Sequence, residues 1–223
     1  MKKTAILASF AAVLALTACN DTSSTTATTE TQGTTTELAA ATAEGETYKV
    51  VAEESEAKWH GTKVAGEHFG TIDIKDGELN VADNQVTGGK FVIDMASIKN
   101  TDITAAEDNG KLVGHLKSDD FFGVETYPTA TFEIRNISPI ANATAGQPNY
   151  NVEGDLTIKE KTNQVSFPAT ISVDNGVAKA KADVKVDRAQ YDVRYGSNSF
   201  FDNLGDKAIS DEFTVSLDVT ASK

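Results

Sequence analysis

The stretch Val165-Ser166-Phe167-Pro168-Ala169-Thr170-Ile171-Ser172-Val173-Asp174-Asn175-Gly176-Val177-Ala178-Lys179-Ala180-Lys181-Ala182-Asp183-Val184-Lys185-Val186 decides the fold. Apolar and polar residues alternate on both sides of Asp174-Asn175-Gly176. Period two marks a strand with one buried face, and Asn-Gly is a strong hairpin signal. Ala178, Ala180 and Ala182 fall on the apolar face of the return strand. Small side chains there leave volume for a neighbour or a ligand. An eight-stranded barrel is just wide enough to hold one small apolar ligand. Facing phenylalanines that fill the space are the packed alternative.

The same period extends outward. Tyr48, Val50 and Ala52 alternate, and Ala57 and Trp59 continue after a break. Phe69, Ile72 and Ile74 lead to Asp76-Gly77, which reads as a tight turn, with Leu79 and Val81 on the return. Asp83-Asn84 makes the next turn, before Phe91, Ile93 and Met95. Later runs are Ala130–Ile134, Tyr150–Ile158 and Phe213–Ala221. Short strands joined by tight turns predict an antiparallel barrel or sandwich, and the alanines tilt the choice to a barrel. Between Ser97 and Val124 the alternation stops. That region predicts a helical or irregular insertion between the two halves, and a long excursion of this kind is usually functional or a lid. Within it, Gly114-His115-Leu116-Lys117-Ser118-Asp119-Asp120-Phe121-Phe122 reads as a short amphipathic segment pressed on apolar surface.

Composition narrows the chemistry. The net charge of −13 argues against nucleic acid as a partner. His60, His68 and His115 lack the compact acidic or thiolate partners of a metal site. There is no Gly-x-Ser-x-Gly elbow, no phosphate-cradling loop and no dinucleotide fingerprint. Asp119-Asp120 reads as a cap or a solvated pair rather than an acid–base couple. No catalytic set and no cofactor are therefore expected. The dense polar patch from Val186 to Gly196 holds Arg188, Tyr191, Arg194 and Tyr195. It suits the rim of a pocket mouth facing an anionic head group. Pairing of Arg188 with Asp187 or Asp211 is the plainer alternative.

The first residues form an export segment: Lys2 and Lys3, then a short apolar run from Ala5 to Leu16, then Leu16-Thr17-Ala18-Cys19. The run is too short for a spanning helix and reads as a signal peptide over 1–18. Leu-Thr-Ala-Cys resembles the bacterial lipobox, which makes Cys19, the lone cysteine, a lipid-anchor candidate. An incidental cysteine after an ordinary signal is the alternative. Residues 19–45, rich in threonine, read as a disordered tether, and 46–223 as the folded domain.

Several separated motifs resemble those of the YceI family, the lipocalin-like polyisoprenoid-binding proteins of bacterial periplasms. They are Ser55-Glu56-Ala57-Lys58-Trp59, the stretch His115 to Phe122 with Pro128 to Phe132, Gly154-Asp155-Leu156-Thr157-Ile158-Lys159 with Thr162, Val186-Asp187-Arg188 with Tyr191, and Ile209-Ser210-Asp211-Glu212-Phe213. Lys159-Glu160-Lys161 departs from the family's usual glycine in that hairpin. The resemblance implies an all-β, lipocalin-like antiparallel eight-stranded barrel that binds a long isoprenoid lipid or quinone without covalent chemistry. The implied ligand wall takes Trp59, Phe91 and Ile93 from the first strands. Phe132, Ile134, Leu156, Ile158, Phe167 and Ile171 follow. Ala178, Ala180, Ala182, Phe213, Val215 and Leu217 complete it. Phe121 and Phe122 would cover one opening, with His115, Arg188 and Tyr191 at the rim. The implied setting is the bacterial cell envelope, lipid-anchored and facing the periplasm. A homodimer stays open. A structural or stress-related protein-interaction module without ligand is the rival reading.

Overall fold

The computed structural model describes residues 45–223. The expected signal peptide, the expected Cys19 anchor and the expected tether up to residue 44 lie outside the described residues. Strands dominate: β1 (Glu46–Val50), β2 (Glu56–Lys63), β3 (Gly66–Ala82), β4 (Gln85–Asn100), β5 (Thr129–Pro139), β6 (Tyr150–Ile158), β7 (Lys161–Asp174), β8 (Val177–Asp187) and β9 (Ile209–Ser222). One helix, α1 (Ala106–Lys117), lies between β4 and β5.

The sheet closes on itself. Its order is β3-β2-β9-β8-β7-β6-β5-β4, and β4 returns to pair with β3. All pairings are antiparallel. β1 pairs with the far ends of β3 and β9, so β1 and β2 together make one interrupted stave of an eight-staved barrel. Ser55 secures the interruption. Its hydroxyl donates to the Val51 carbonyl at 2.8 Å and accepts from the Thr220 amide at 3.1 Å. The lipocalin-like barrel expected from sequence is the observed architecture.

Two-residue turns set the register of three hairpins. Asp83-Asn84, Lys159-Glu160 and Asn175-Gly176 each have positive φ at both positions, the geometry that matches strand twist. Asp76-Gly77, read above as a turn, is not one. It lies inside β3, where the pairing with β4 steps from Ile74↔Ile93 to Asp76↔Val92. This is a bulge, which bends a long strand without ending it. Gly77 is required there by close approach: a Cβ would sit 2.7 Å from Val50 and 2.9 Å from Phe91. The turn before β3 falls instead at Val64-Ala65.

The strands are long. β3 has 17 residues and β4 has 16, against a usual 5–6. Length matters because inward side chains repeat every second residue, so a longer stave lines a longer interior. The barrel end carrying β1 is packed shut: Tyr48, Val81, Ala178 and Ala221 are buried and do not border the interior space. At the other end α1 lies against β4. The Asn109 amide donates to the carbonyls of Asn100 and Ile103, and Lys117 donates to that of Ala96. Leu112 and Leu116 face inward from the helix.

Candidate functional site

A cavity of about 290 Å³ runs inside the barrel. Its wall is apolar almost throughout. Along β9 it is bordered from Ile209 to Val219, which at about 3.3 Å per residue is roughly 33 Å of strand. The space is therefore long rather than round.

Most expected wall residues border it. Trp59, Phe91, Ile93, Phe132 and Ile134 do, as do Leu156, Ile158, Phe167 and Ile171. Ala180 and Ala182 from β8 and Phe213, Val215 and Leu217 from β9 complete that set. The phenylalanines pack on one another along the wall: Phe132 lies 6.5 Å from Phe91 and 5.6 Å from Phe167. They do not fill the middle. Ala178 is a correction. It is fully buried but off the cavity, because it pairs with Val173 and Ala221 at the shut end.

Sequence reading also left out wall residues. Ile72 and Ile74 of β3 border the cavity as well. Met95, Ala169, Val184 and Val219 share the parity of residues already named and were findable from it. Leu112 and Leu116 came from the non-β insertion, where no period points inward.

Phe121 and Phe122 cover the end opposite β1. Both border the cavity, and Phe122 packs edge-on against Phe213 at 6.4 Å. The covering turn is tied down by Lys159, whose ammonium donates to the carbonyls of Phe121 at 3.0 Å and Asp192 at 3.4 Å. Lys159 of the β6–β7 turn thus links two loops.

The three rim candidates are placed differently from the expectation. His115 sits behind the cover, off the cavity, edge-on to Phe121 at 5.0 Å and Tyr195 at 4.4 Å. Arg188 borders the cavity but is buried. Its nitrogens donate to the carbonyls of Ser210, Val193, Tyr195 and Ile209 at 2.8–3.1 Å, and Asp211 lies 3.3 Å away. Burial lowers its pKa, while Asp211 and Asp187 oppose that shift. Arg188 therefore staples the β8–β9 connection, with four of its five N–H groups spent on backbone carbonyls. Its polar neighbourhood suggested a rim, but those polar groups turn inward on one another.

Tyr191 is buried away from the cavity, and its hydroxyl has no partner. Burial, then the charge of Asp187, push its pKa from 10.0 up to about 12. Above pH 10 the unfolded chain loses a proton that the folded chain keeps, so stability falls as pH rises from about 10 to 12. Tyr191→Phe is expected to flatten this fall and to melt no lower than the parent at pH 7. Denaturation curves across pH 7–12 check this; an equally steep alkaline fall in the variant would contradict it.

The histidines stand in three separate pairs, His60 with Glu67, His68 with Asp102, and His115 with Asp120. Asp119 and Asp120 are exposed. Among the described residues no group of three or more His, Cys, Asp or Glu is arranged to hold a metal ion. No described helix is long and apolar enough to cross a membrane.

Comparison with known proteins gives consistent results. The crystal structure of Burkholderia cenocepacia BcnA superposes with a TM-score of 0.58 at 22% identity, over 78% of this chain and 99% of that one. A domain from Saccharophagus degradans, described as polyisoprenoid binding and implicated in plant cell wall breakdown, gives 0.53 at 16% identity, over 78% and 97%. At this identity both likenesses speak to the fold. A UPF0312 protein of Staphylococcus aureus is 31% identical over 123 residues, which cover 55% of this chain and 58% of that protein. The chain thus spans little more than half the length of the curated relatives it matches. The model of the YceI-like domain matches residues 48–221, and the chain belongs to that family.

Proposed function

We propose that this chain holds a long isoprenoid lipid or quinone noncovalently inside its barrel, as a store or carrier in the bacterial cell envelope. The observation that carries the reading is the long apolar cavity, shut at one end and bordered by polar side chains only at the other. Each methylene buried in such a space contributes about 0.8 kcal/mol, so a long tail binds without strong polar contacts. The polyisoprenoid-binding description of the Saccharophagus domain supports the same ligand class. Cys19 would anchor the chain to a membrane facing the periplasm, since several acyl chains hold a protein stably on a bilayer.

Gentle purification followed by native mass spectrometry is the test. A copurifying lipid is expected, as is uptake of a polyprenol or quinone by delipidated protein. A clean apo mass with no uptake would leave the rival, a ligand-free interaction module, as the better account. Labelled palmitate should enter the parent chain and not Cys19→Ser; equal labelling would refute the anchor.

A further inference from the structure

Polar residues border the cavity at one end only: Thr62, Lys63, His68, Arg188 and Ser210. Two of these are largely engaged within the protein. Arg188 donates to four carbonyls, as described above. The Ser210 hydroxyl donates to the Glu212 carbonyl at 2.9 Å and accepts from its amide at 3.1 Å. What remains is the β2–β3 hairpin.

His68 shares its parity on β3 with Gly70, Ile72 and Ile74, and borders the cavity with the two isoleucines. Its Nδ1 lies 2.8 Å from Asp102 Oδ2. Asp102 Oδ1 accepts from the Phe69 amide at 2.9 Å and from the Asn100 side chain. Burial acts to raise the Asp102 pKa, but these donors together hold it below its ordinary value of 3.8. Asn100 is itself fixed by the Ile103 amide and by Asn109 of α1. An ionised carboxylate only accepts hydrogen bonds, so Nδ1 bears a proton, and in the uncharged form of the ring Nε2 keeps a lone pair.

Room exists beside that ring. Gly61 pairs with His68 across the ladder, and a Cβ built on Gly61 meets nothing within 4 Å. Next along β2, Trp59 borders the same space. Its indole N–H already donates to the Lys99 carbonyl at 3.0 Å, which leaves its ring as an apolar floor.

We infer that this niche is a head-group subsite: His68 Nε2 accepts a hydrogen bond from a hydroxyl on the bound lipid, whose tail runs past Trp59 into the barrel. The inference rests on the carrier reading above. It narrows the ligand to prenyl alcohols or hydroquinones, in preference to hydrocarbons and oxidised quinones. Asp102 is a positioning residue that sets which ring nitrogen bears the proton.

The test compares geranylgeraniol, its aldehyde, its phosphate and its hydrocarbon analogue on delipidated protein by fluorescence of Trp59. The parent should bind the alcohol about three- to ten-fold more tightly than the hydrocarbon, the yield of one net hydrogen bond. His68→Phe should erase that preference by weakening the alcohol alone. Asp102→Asn presents an amide N–H to Nδ1, moves the ring proton to Nε2, and should tilt the preference towards the aldehyde. An unchanged alcohol preference in His68→Phe, or equal weakening of alcohol and hydrocarbon, would overturn the subsite while leaving the carrier. So would tightest binding of the phosphate with dependence on Lys63 instead of His68. Failure of the parent to bind any of the four would remove the carrier reading and the subsite with it.

Discussion

Ala182→Trp is expected to cut lipid uptake by more than ten-fold while the barrel still folds. Ala182 and Ala180 lie on β8, opposite Leu217 and Val219 of β9 and Ala169 and Ile171 of β7. All six side chains border the cavity. The added indole would enter open volume, so it escapes the usual penalty of about 1–3 kcal/mol for overfilling a packed core. Instead it competes with the ligand for the same apolar wall. Ala180→Phe should act in the same direction. Uptake of a polyprenol or quinone, measured with the melting temperature, separates the effects. Unchanged uptake in a folded variant would mean that β8 does not face the ligand. Ala178→Trp is the useful contrast: at the shut end it should lower stability first, since nothing there is open.

The second large effect concerns folding. Arg188→Met is expected to destabilise the protein by about 3–5 kcal/mol, because it leaves buried carbonyls and the Asp211 carboxylate without their cation. For a chain of this size that corresponds to a fall in melting temperature of about 10 °C or more. Arg188→Lys should recover little, since one ammonium cannot reach four carbonyls in the plane that the guanidinium spans. Arg194→Met provides the control. That side chain pairs with Asp192 at 2.6 Å but is 58% exposed, and such pairs contribute about 0–1 kcal/mol. Equal melting of the Arg188 and Arg194 variants would show that the β8–β9 connection does not depend on its buried cation.

Much of the barrel was legible because its staves have one wet face and one dry face. Alternation from Phe91 to Met95 and from Val165 to Val186 identified both strand and inner side, and Asp83-Asn84 and Asn175-Gly176 fixed two turns. Periodicity tells which side a residue faces, but not how far along the axis it sits. Ala178 therefore looked like Ala180 and Ala182, yet lies in the packed end. Asp76-Gly77 misled for a related reason: Asp-Gly suits a turn and a bulge alike, and only the partner strand distinguishes them. Arg188 and Tyr191 looked like a rim because their surroundings are polar, whereas Arg188 turns onto backbone carbonyls and Tyr191 is buried with its hydroxyl unpartnered. The His68–Asp102 pair joins residues 34 apart in sequence, beyond the reach of any local pattern.

The closing of the sheet also constrains how the chain acquires its shape. β9 is hydrogen-bonded to β1, β2 and β8, and the Ser55–Thr220 contact spans 165 residues. The first stave has no second neighbour until β9 is in place, so ring closure waits for that strand. Contacts this distant in sequence make for slow folding, on the scale of milliseconds to seconds. Until then both margins of the sheet carry unsatisfied amides and carbonyls, which makes the incomplete chain the stage most exposed to mispairing with its neighbours.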